Sequence, residues 1–149
     1  LFHAGLNSGS EFEYTDVHNR LHFYVLDIHR NDQEIISYTV GVRSLDSEIT
    51  RVPVIVTAPK PALKISGEGT VEFTLSGDDI CRLSAEVQGK GWEVKLFNEL
   101  AAPADGKKVT LPVYLKASPG CSKKATVTLT AVSESDPDKI SRAVAMVRL

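Results

Sequence analysis

The sequence lacks the short motifs that mark the commonest enzyme classes. It has no H-E-x-x-H, no G-x-S-x-G, no glycine-rich phosphate loop and no C-x-x-C, which argues against a zinc-peptidase helix, a hydrolase elbow, a nucleotide loop or a thiol redox centre within it. With 17 basic and 19 acidic residues the net charge is -2, so no basic field is available for nucleic acid. No apolar run approaches the ~20 residues that cross a bilayer.

Cysteine is also scarce, with only Cys81 and Cys121. An even number in a threonine-rich, all-β chain predicts one disulfide between them, formed in an oxidising compartment. The alternative is two buried thiols in a cytosolic protein. The chain has no signal peptide and no initiating Met, so we expect a fragment of a longer protein, either an excised domain or its processed end. It has no N-glycosylation sequon, so glycosylation gives no help with localisation.

What the sequence does contain is strict alternation of apolar and polar residues. Val109, Leu111, Val113 and Leu115 alternate with polar neighbours or proline, and the stretch 125–131 repeats the pattern with alanine, valine and leucine against threonine. Such alternation is typical of antiparallel sheets with one buried and one wet face. The turns between these stretches consist of Pro, Gly, Asp and Ser. The predicted fold is therefore all-β, an antiparallel immunoglobulin-like β-sandwich.

Prolines and turn residues divide this pattern along the chain. Residues 20–44 predict a hairpin, whose first strand is apolar on both faces and should lie centrally or under a neighbouring domain. Pro53 places 51–56 at a sheet edge. We predict a β-rich segment over 1–57, a Pro-rich linker over 58–61, and a seven-stranded sandwich over 62–149. Only 96–102 has weak helical character.

The histidines offer one candidate zinc site. All four lie before residue 30. His18 and His22 could share a strand face near Asp16 and Asp27, as in a zinc site. A turn at 18–19 and ordinary exposure are the simpler explanation, and no metal, cofactor or catalytic residue is assigned. A pocket in which His22 and His29 converge with a carboxylate would favour an enzyme instead.

Two other features have a structural and a functional interpretation. The acidic turns at 78–79 and at Asp136 and Asp138 could hold calcium through oxygen ligands, although Asx turns explain them more simply. Trp92, the single tryptophan, could stack on a sugar ring if exposed. It opens a strand whose face continues through Val94 and Leu96, so we predict a core position.

Residues 62–149 resemble the NEW3 and CARDB-like bacterial immunoglobulin-like modules. The resemblance lies in the Gly91-Trp92 pair, the strand from Val109 to Leu115 and the turn 118–120, followed by a Thr/Val strand pair. It implies an immunoglobulin-like module.

Residues 4–43 are similar to the β-domain that follows the catalytic domain in secreted metallopeptidases of the immune-inhibitor-A type. The matching elements are Gly9, Phe12 and Asp16, then the strands 21–25 and 38–42. The resemblance implies a non-catalytic fragment, because the zinc-binding helix of those enzymes is not in this sequence.

These observations favour a non-catalytic accessory region of a secreted hydrolase, a peptidase or a glycosidase. It would space, stabilise or dock the catalytic domain of the same chain, which is its expected partner. The alternative is a carbohydrate- or cell-surface-binding adhesion module. An exposed aromatic strip or a calcium site would favour that alternative.

Overall fold

The computed structural model describes residues 13–46, 51–60, 62–103 and 106–149, and leaves out the side chains of 35 and 36. Every regular element in these ranges is a β-strand. The twelve strands are β1 Glu13–Asp16, β2 Leu21–Arg30, β3 Ile35–Ser44, β4 Ile55–Thr57, β5 Leu63–Lys64, β6 Glu68–Ser76, β7 Cys81–Gln88, β8 Trp92–Lys95, β9 Leu100–Ala101, β10 Val109–Ala117, β11 Lys124–Ser133 and β12 Ile140–Arg148. The all-β prediction is confirmed, and none of the described residues forms a helix able to span a membrane.

The strands form three sheets. The first is an N-terminal sheet of order β1-β2-β3, the second has order β4-β6-β10-β8, and the third has order β5-β12-β11-β7-β9. The predicted hairpin over 20–44 is confirmed as the antiparallel pair β2-β3, and β2 is the central strand of its sheet. All pairs are antiparallel except β5 with β12, which run parallel.

The second and third sheets pack face to face as a β-sandwich. Alternate residues of β6, β10 and β11 point inward, as the alternation predicts, and Phe73, Val113 and Leu129 are fully buried. Trp92 joins this core at 6% exposure and its Nε1 donates to the Ser122 carbonyl over 2.9 Å. The core position predicted for Trp92 is confirmed.

Two local expectations differ from the structure. Residues 96–102, weakly helical by composition, contain the short strand β9, because its backbone pairs with β7. Strand β4, which the sequence grouped with the N-terminal segment, pairs with β6 at the edge of the sandwich. Since β4 and β5 lie in different sheets, the segment around Pro59 carries the chain from one face of the sandwich to the other.

Candidate functional site

The N-terminal sheet contacts the sandwich through a small apolar cluster. Tyr24 of β2, fully buried, packs with Ile80 and Leu100 of the sandwich, and Leu26 and Ala102 border them. Gly41 is the β3 partner of Tyr24. A Cβ at Gly41 would lie 2.9 Å from Ile80 Cδ1, so the absence of a side chain there allows the two units to approach closely.

An ion cluster lies beside this apolar contact. Arg82 of β7 donates from Nη1 to Glu13 Oε1 over 2.9 Å and from Nε to Glu134 Oε1 over 2.8 Å. Glu13 belongs to the N-terminal sheet, whereas Glu134 directly follows β11. The two carboxylate side chains are 12% and 15% exposed, and Arg82 is 37% exposed. We call Glu13, Arg82 and Glu134, together with Tyr24, the junction.

Two further residues of the N-terminal sheet complete the hydrogen bonding around the junction. The Tyr24 hydroxyl donates to Glu134 Oε2 over 2.9 Å and accepts from Arg43 Nε over 3.1 Å. The His22 ring lies 4.1 Å from the Tyr24 ring in a stacked arrangement, and its Nε2 is 2.9 Å from Glu13 Oε2. Thus a carboxylate from each unit is bound to a cation or hydroxyl of the other.

The electrostatics favour the charged form of the ion pairs. Burial by itself raises the pKa of the Glu13 carboxyl, but the hydrogen bonds and charge of Arg82, aided by His22, leave it below its ordinary value. Hydrogen bonds from Arg82 to Glu134 and Glu13 raise the pKa of the guanidinium. Burial raises the pKa of Tyr24 to about 12. At neutral pH Glu13 and Arg82 are therefore charged and Tyr24 keeps its phenol proton, as a structural clamp requires.

Acid should weaken this clamp. A carboxyl whose pKa is lowered on folding stabilises the folded state above its unfolded pKa, here 4.5, and loses that contribution as the pH falls through the folded value. We expect the difference in unfolding free energy between the wild type and Glu13→Gln to be largest above pH ~6 and to shrink below pH ~4.5. Urea denaturation followed by circular dichroism at several pH values measures it. Exposed Glu72 supplies the control, and an equal pH dependence for Glu13→Gln and Glu72→Gln would contradict the assignment.

The structure does not bring together the histidines of the zinc site considered in the sequence. His22 binds Glu13 within the junction, and His29 lies 2.9 Å from Thr39 Oγ1 and 3.8 Å from Asp27. Asp16 accepts from Asn19. His3 lies outside the described residues. Within the described part of the chain, no group of three or more His, Cys, Asp or Glu residues is arranged to hold a metal ion.

Asp79 and Asp136 of the acidic turns use their oxygens within the fold, whereas the buried Oδ1 of Asp78 has no hydrogen-bond partner among the described residues. Asp79 is buried and accepts hydrogen bonds from the hydroxyls of Ser133 and Ser135, which connects the start of β7 to the end of β11. Asp136 accepts from the amide of Asp138 over 3.3 Å and pairs with Lys139. These contacts are those of Asx turns and their neighbours, the simpler of the two interpretations of this sequence.

The predicted Cys81–Cys121 disulfide is absent, because both cysteines are free. Cys81 is the β7 partner of Ser133 at the end of β11, whereas Cys121 lies three residues before β11 begins. The length of β11 separates them by about 30 Å, far beyond the 4.4–6.8 Å Cα separation typical of a disulfide. Spacing along the chain could not reveal this, since the two positions flank opposite ends of the same strand.

Thiol labelling tests this arrangement directly. Cys81 is completely buried, and burial, with smaller contributions from Asp79 and Glu134, raises its pKa to about 12, so it should not react in the native protein. We expect a thiol reagent to label only Cys121 under native conditions and both cysteines in denaturant without reductant. Cys121→Ser should abolish native labelling. If the denatured, unreduced protein contained no free thiols, the result would support the Cys81–Cys121 disulfide instead.

None of the four residues of the junction is recognisable as functional from the sequence. One signal is consistent with it, the apolar character of both faces of 20–30, which predicted either a central strand or a strand under a neighbouring domain. One of these faces carries Tyr24 and His22, which contact the sandwich and the junction carboxylates. Arg82 and Glu134 are separated by 52 residues, so no local pattern pairs them.

Comparison with known proteins gives two family matches. The model described as Peptidase M6-like domain matches residues 49–149, and one described as middle domain matches residues 1–45. The chain is 35% identical to a protein of Arthroderma benhamiae named "Putative secreted metallopeptidase", over an alignment that covers 96% of this chain and 25% of that protein. The chain thus spans about a quarter of the length of this curated relative.

A solved structure also aligns with part of the chain. It is the FixG-related protein from Vibrio parahaemolyticus, with 16% identity, a TM-score of 0.41, and coverage of 67% of this chain and 97% of that one.

The family match at 49–149 covers more than half of the sequence. The chain therefore belongs to the Peptidase M6-like domain family.

Proposed function

We propose that the chain is a non-catalytic accessory region of a secreted multidomain peptidase. It stabilises that protein and docks against the catalytic domain of the same chain. The junction carries this proposal, because Arg82 binds Glu13 and Glu134 at once and so holds the N-terminal sheet in one orientation on the sandwich. An accessory region needs such a fixed connection if it is to position what it is attached to.

The N-terminal sheet provides a surface for that docking. Its inner side faces the sandwich at Tyr24, whereas Tyr14, Tyr38, Val40 and Val42 are each 41–50% exposed. Large apolar side chains gathered on one sheet face are typical of protein–protein contacts. Because the relative is about four times as long as the aligned region, we infer that this apolar face contacts the remainder of the parent chain.

The organisation of the parent follows from the same observations. We infer a boundary between β3 and β4, supported by the family matches that end at 45 and begin at 49 and by the pairing of β4 with β6. We also propose that the sandwich is immunoglobulin-like. The order β4-β6-β10-β8 matches strands A-B-E-D of that fold, and β12-β11-β7 matches strands G-F-C. Secretion of this protein is likewise proposed, from the name of the relative.

Two experiments test the accessory role. The isolated chain should hydrolyse no casein, with or without added zinc. In the Arthroderma relative, deletion of the aligned region should lower the yield of active secreted enzyme, and a chimera carrying this chain should restore it. Arg82→Ala in the chimera should lower that yield again, whereas the exposed Arg142→Ala should not. Casein hydrolysis by the isolated chain, or unchanged yield and activity after the deletion, would overturn the proposal.

A further inference from the structure

A shallow groove lies on the outer face of the β4-β6-β10-β8 sheet, away from the junction. The register of β6, β10 and β8 places Thr70, Tyr114 and Lys95 in one cross-strand row. The adjacent row contains Glu68, Lys116 and Glu93. Together with Phe97 these rows line a groove of about 550 Å³, within the range of ligand pockets in proteins.

Two aromatic rings form a corner in this groove. Phe97 and Tyr114 are 51% and 40% exposed, and their centroids lie 4.4 Å apart with the planes at 79°. Neither ring belongs to the buried core of the sandwich. Because the two rings are nearly perpendicular, a flat ligand can stack on one ring while its edge contacts the other. The ammonium of Lys95 sits 4.8 Å from the Phe97 centroid, so the corner also has a hydrogen-bond donor beside it.

The charges of the groove cancel. Glu68 and Glu93 oppose Lys95 and Lys116, and the Lys116 ammonium lies 3.8 Å from a Glu68 carboxylate oxygen. A polyanion or polycation would therefore gain no net attraction. The carboxylates and ammonium groups remain able to accept from and donate to hydroxyl groups.

We propose that this groove binds a neutral oligosaccharide, one sugar ring of which lies against the Phe97–Tyr114 corner. The C–H face of a pyranose matches an aromatic ring, and its vicinal hydroxyls match the row of alternating carboxylate and ammonium groups. A peptide fits the floor of the groove less well, because the main chains of β6 and β10 already pair with each other there. It could add as a strand only along the outer edge of β8, to one side of the aromatic corner. The inference goes beyond the accessory role and does not depend on it.

Titration of the full chain with cellohexaose, mannohexaose and chitohexaose, followed by amide chemical shifts, tests the proposal. At least one probe should shift the amides of β6, β8 and β10. Tyr114→Ala should weaken that binding about tenfold or more, and Tyr114→Trp should retain it. Val144→Ala truncates an apolar side chain that is 56% exposed, on the other sheet of the sandwich, and should change nothing. The affinity should be equal at about 0.05 M and about 0.5 M NaCl, because the ligand is uncharged.

Three outcomes would overturn the assignment. The first is that none of the three hexasaccharides produces a saturable shift. The second is that Tyr114→Ala, still folded, binds as tightly as the wild type. The third is that only an extended peptide or a sulfated saccharide binds. The thermal midpoint of Tyr114→Ala checks its folding, and Glu93→Gln, which keeps the side-chain shape, separates lost hydrogen bonding from lost stacking.

Discussion

Trp92→Ala should destabilise the sandwich by about 3–5 kcal/mol, the typical cost of a large-to-small change in a core. The indole is 6% exposed in the principal core, and its Nε1 donates to the Ser122 carbonyl, so the substitution leaves both a cavity and an unpaired carbonyl. Since domains are stable by only about 5–15 kcal/mol, this is a large fraction of the total. Urea denaturation followed by circular dichroism measures the loss.

A matched control lies five residues along the chain. Phe97 is aromatic but 51% exposed, and Phe97→Ala should cost less than about 1 kcal/mol, since surface changes are usually small. In the native wild type the tryptophan emission should be blue-shifted, as a buried indole requires. Equal losses for the two alanine variants would show that Trp92 is not part of the core.

Arg82→Ala should be the next most damaging change, at about 2–3 kcal/mol. It leaves the carboxylates of Glu13 and Glu134, which are 12% and 15% exposed, without their shared cation. Removing one partner of a fully buried pair costs about 3–5 kcal/mol, and the partial exposure of Arg82 lowers that figure.

The double variant Arg82→Met with Glu13→Gln separates the charge effect from lost packing. It should recover part of the stability, because only one of the two carboxylates, that of Glu134, is then left without its cation, and the Tyr24 hydroxyl still donates to it. Exposed Arg142 is the control, and Arg142→Ala should be nearly neutral. If Arg82→Ala unfolds with the same free energy as Arg142→Ala, the junction does not hold the two units together.

Much of the fold could be predicted because alternation is a local property of a strand. The faces of β10 and β11 and the hairpin β2-β3 each follow from residues two apart, and Trp92 follows from the face it shares with Val94. Strand β4 could not be assigned to its sheet this way, since the choice depends on pairing with β6, about twenty residues away. A proline-rich segment has the same sequence pattern whether it links two domains or two sheets of one sandwich, so the pattern cannot distinguish them.

The candidate site was less predictable, because its partners are distant in the chain. Arg82 and Glu13 are 69 residues apart, and the ion cluster exists only once β1 of the N-terminal sheet lies against β7 and the end of β11 in the sandwich. The same limit explains the Cys81–Cys121 prediction. Composition says that two thiols are present, but only the register of β11 shows that they lie at its opposite ends.

The sequence separations at the junction also determine the order in which the chain can fold during synthesis. Tyr24 and its hydrogen-bond partner Glu134 are 110 residues apart. The N-terminal sheet therefore leaves the ribosome before Ile80 and Leu100, which bury Tyr24, and long before Glu134. Its inner face stays uncovered while the strands of the sandwich are translated. Non-local sheets fold slowly and are prone to aggregate while incomplete. Chaperone binding during translation should accordingly concentrate on residues 21–44 and end when β11 and Glu134 have emerged.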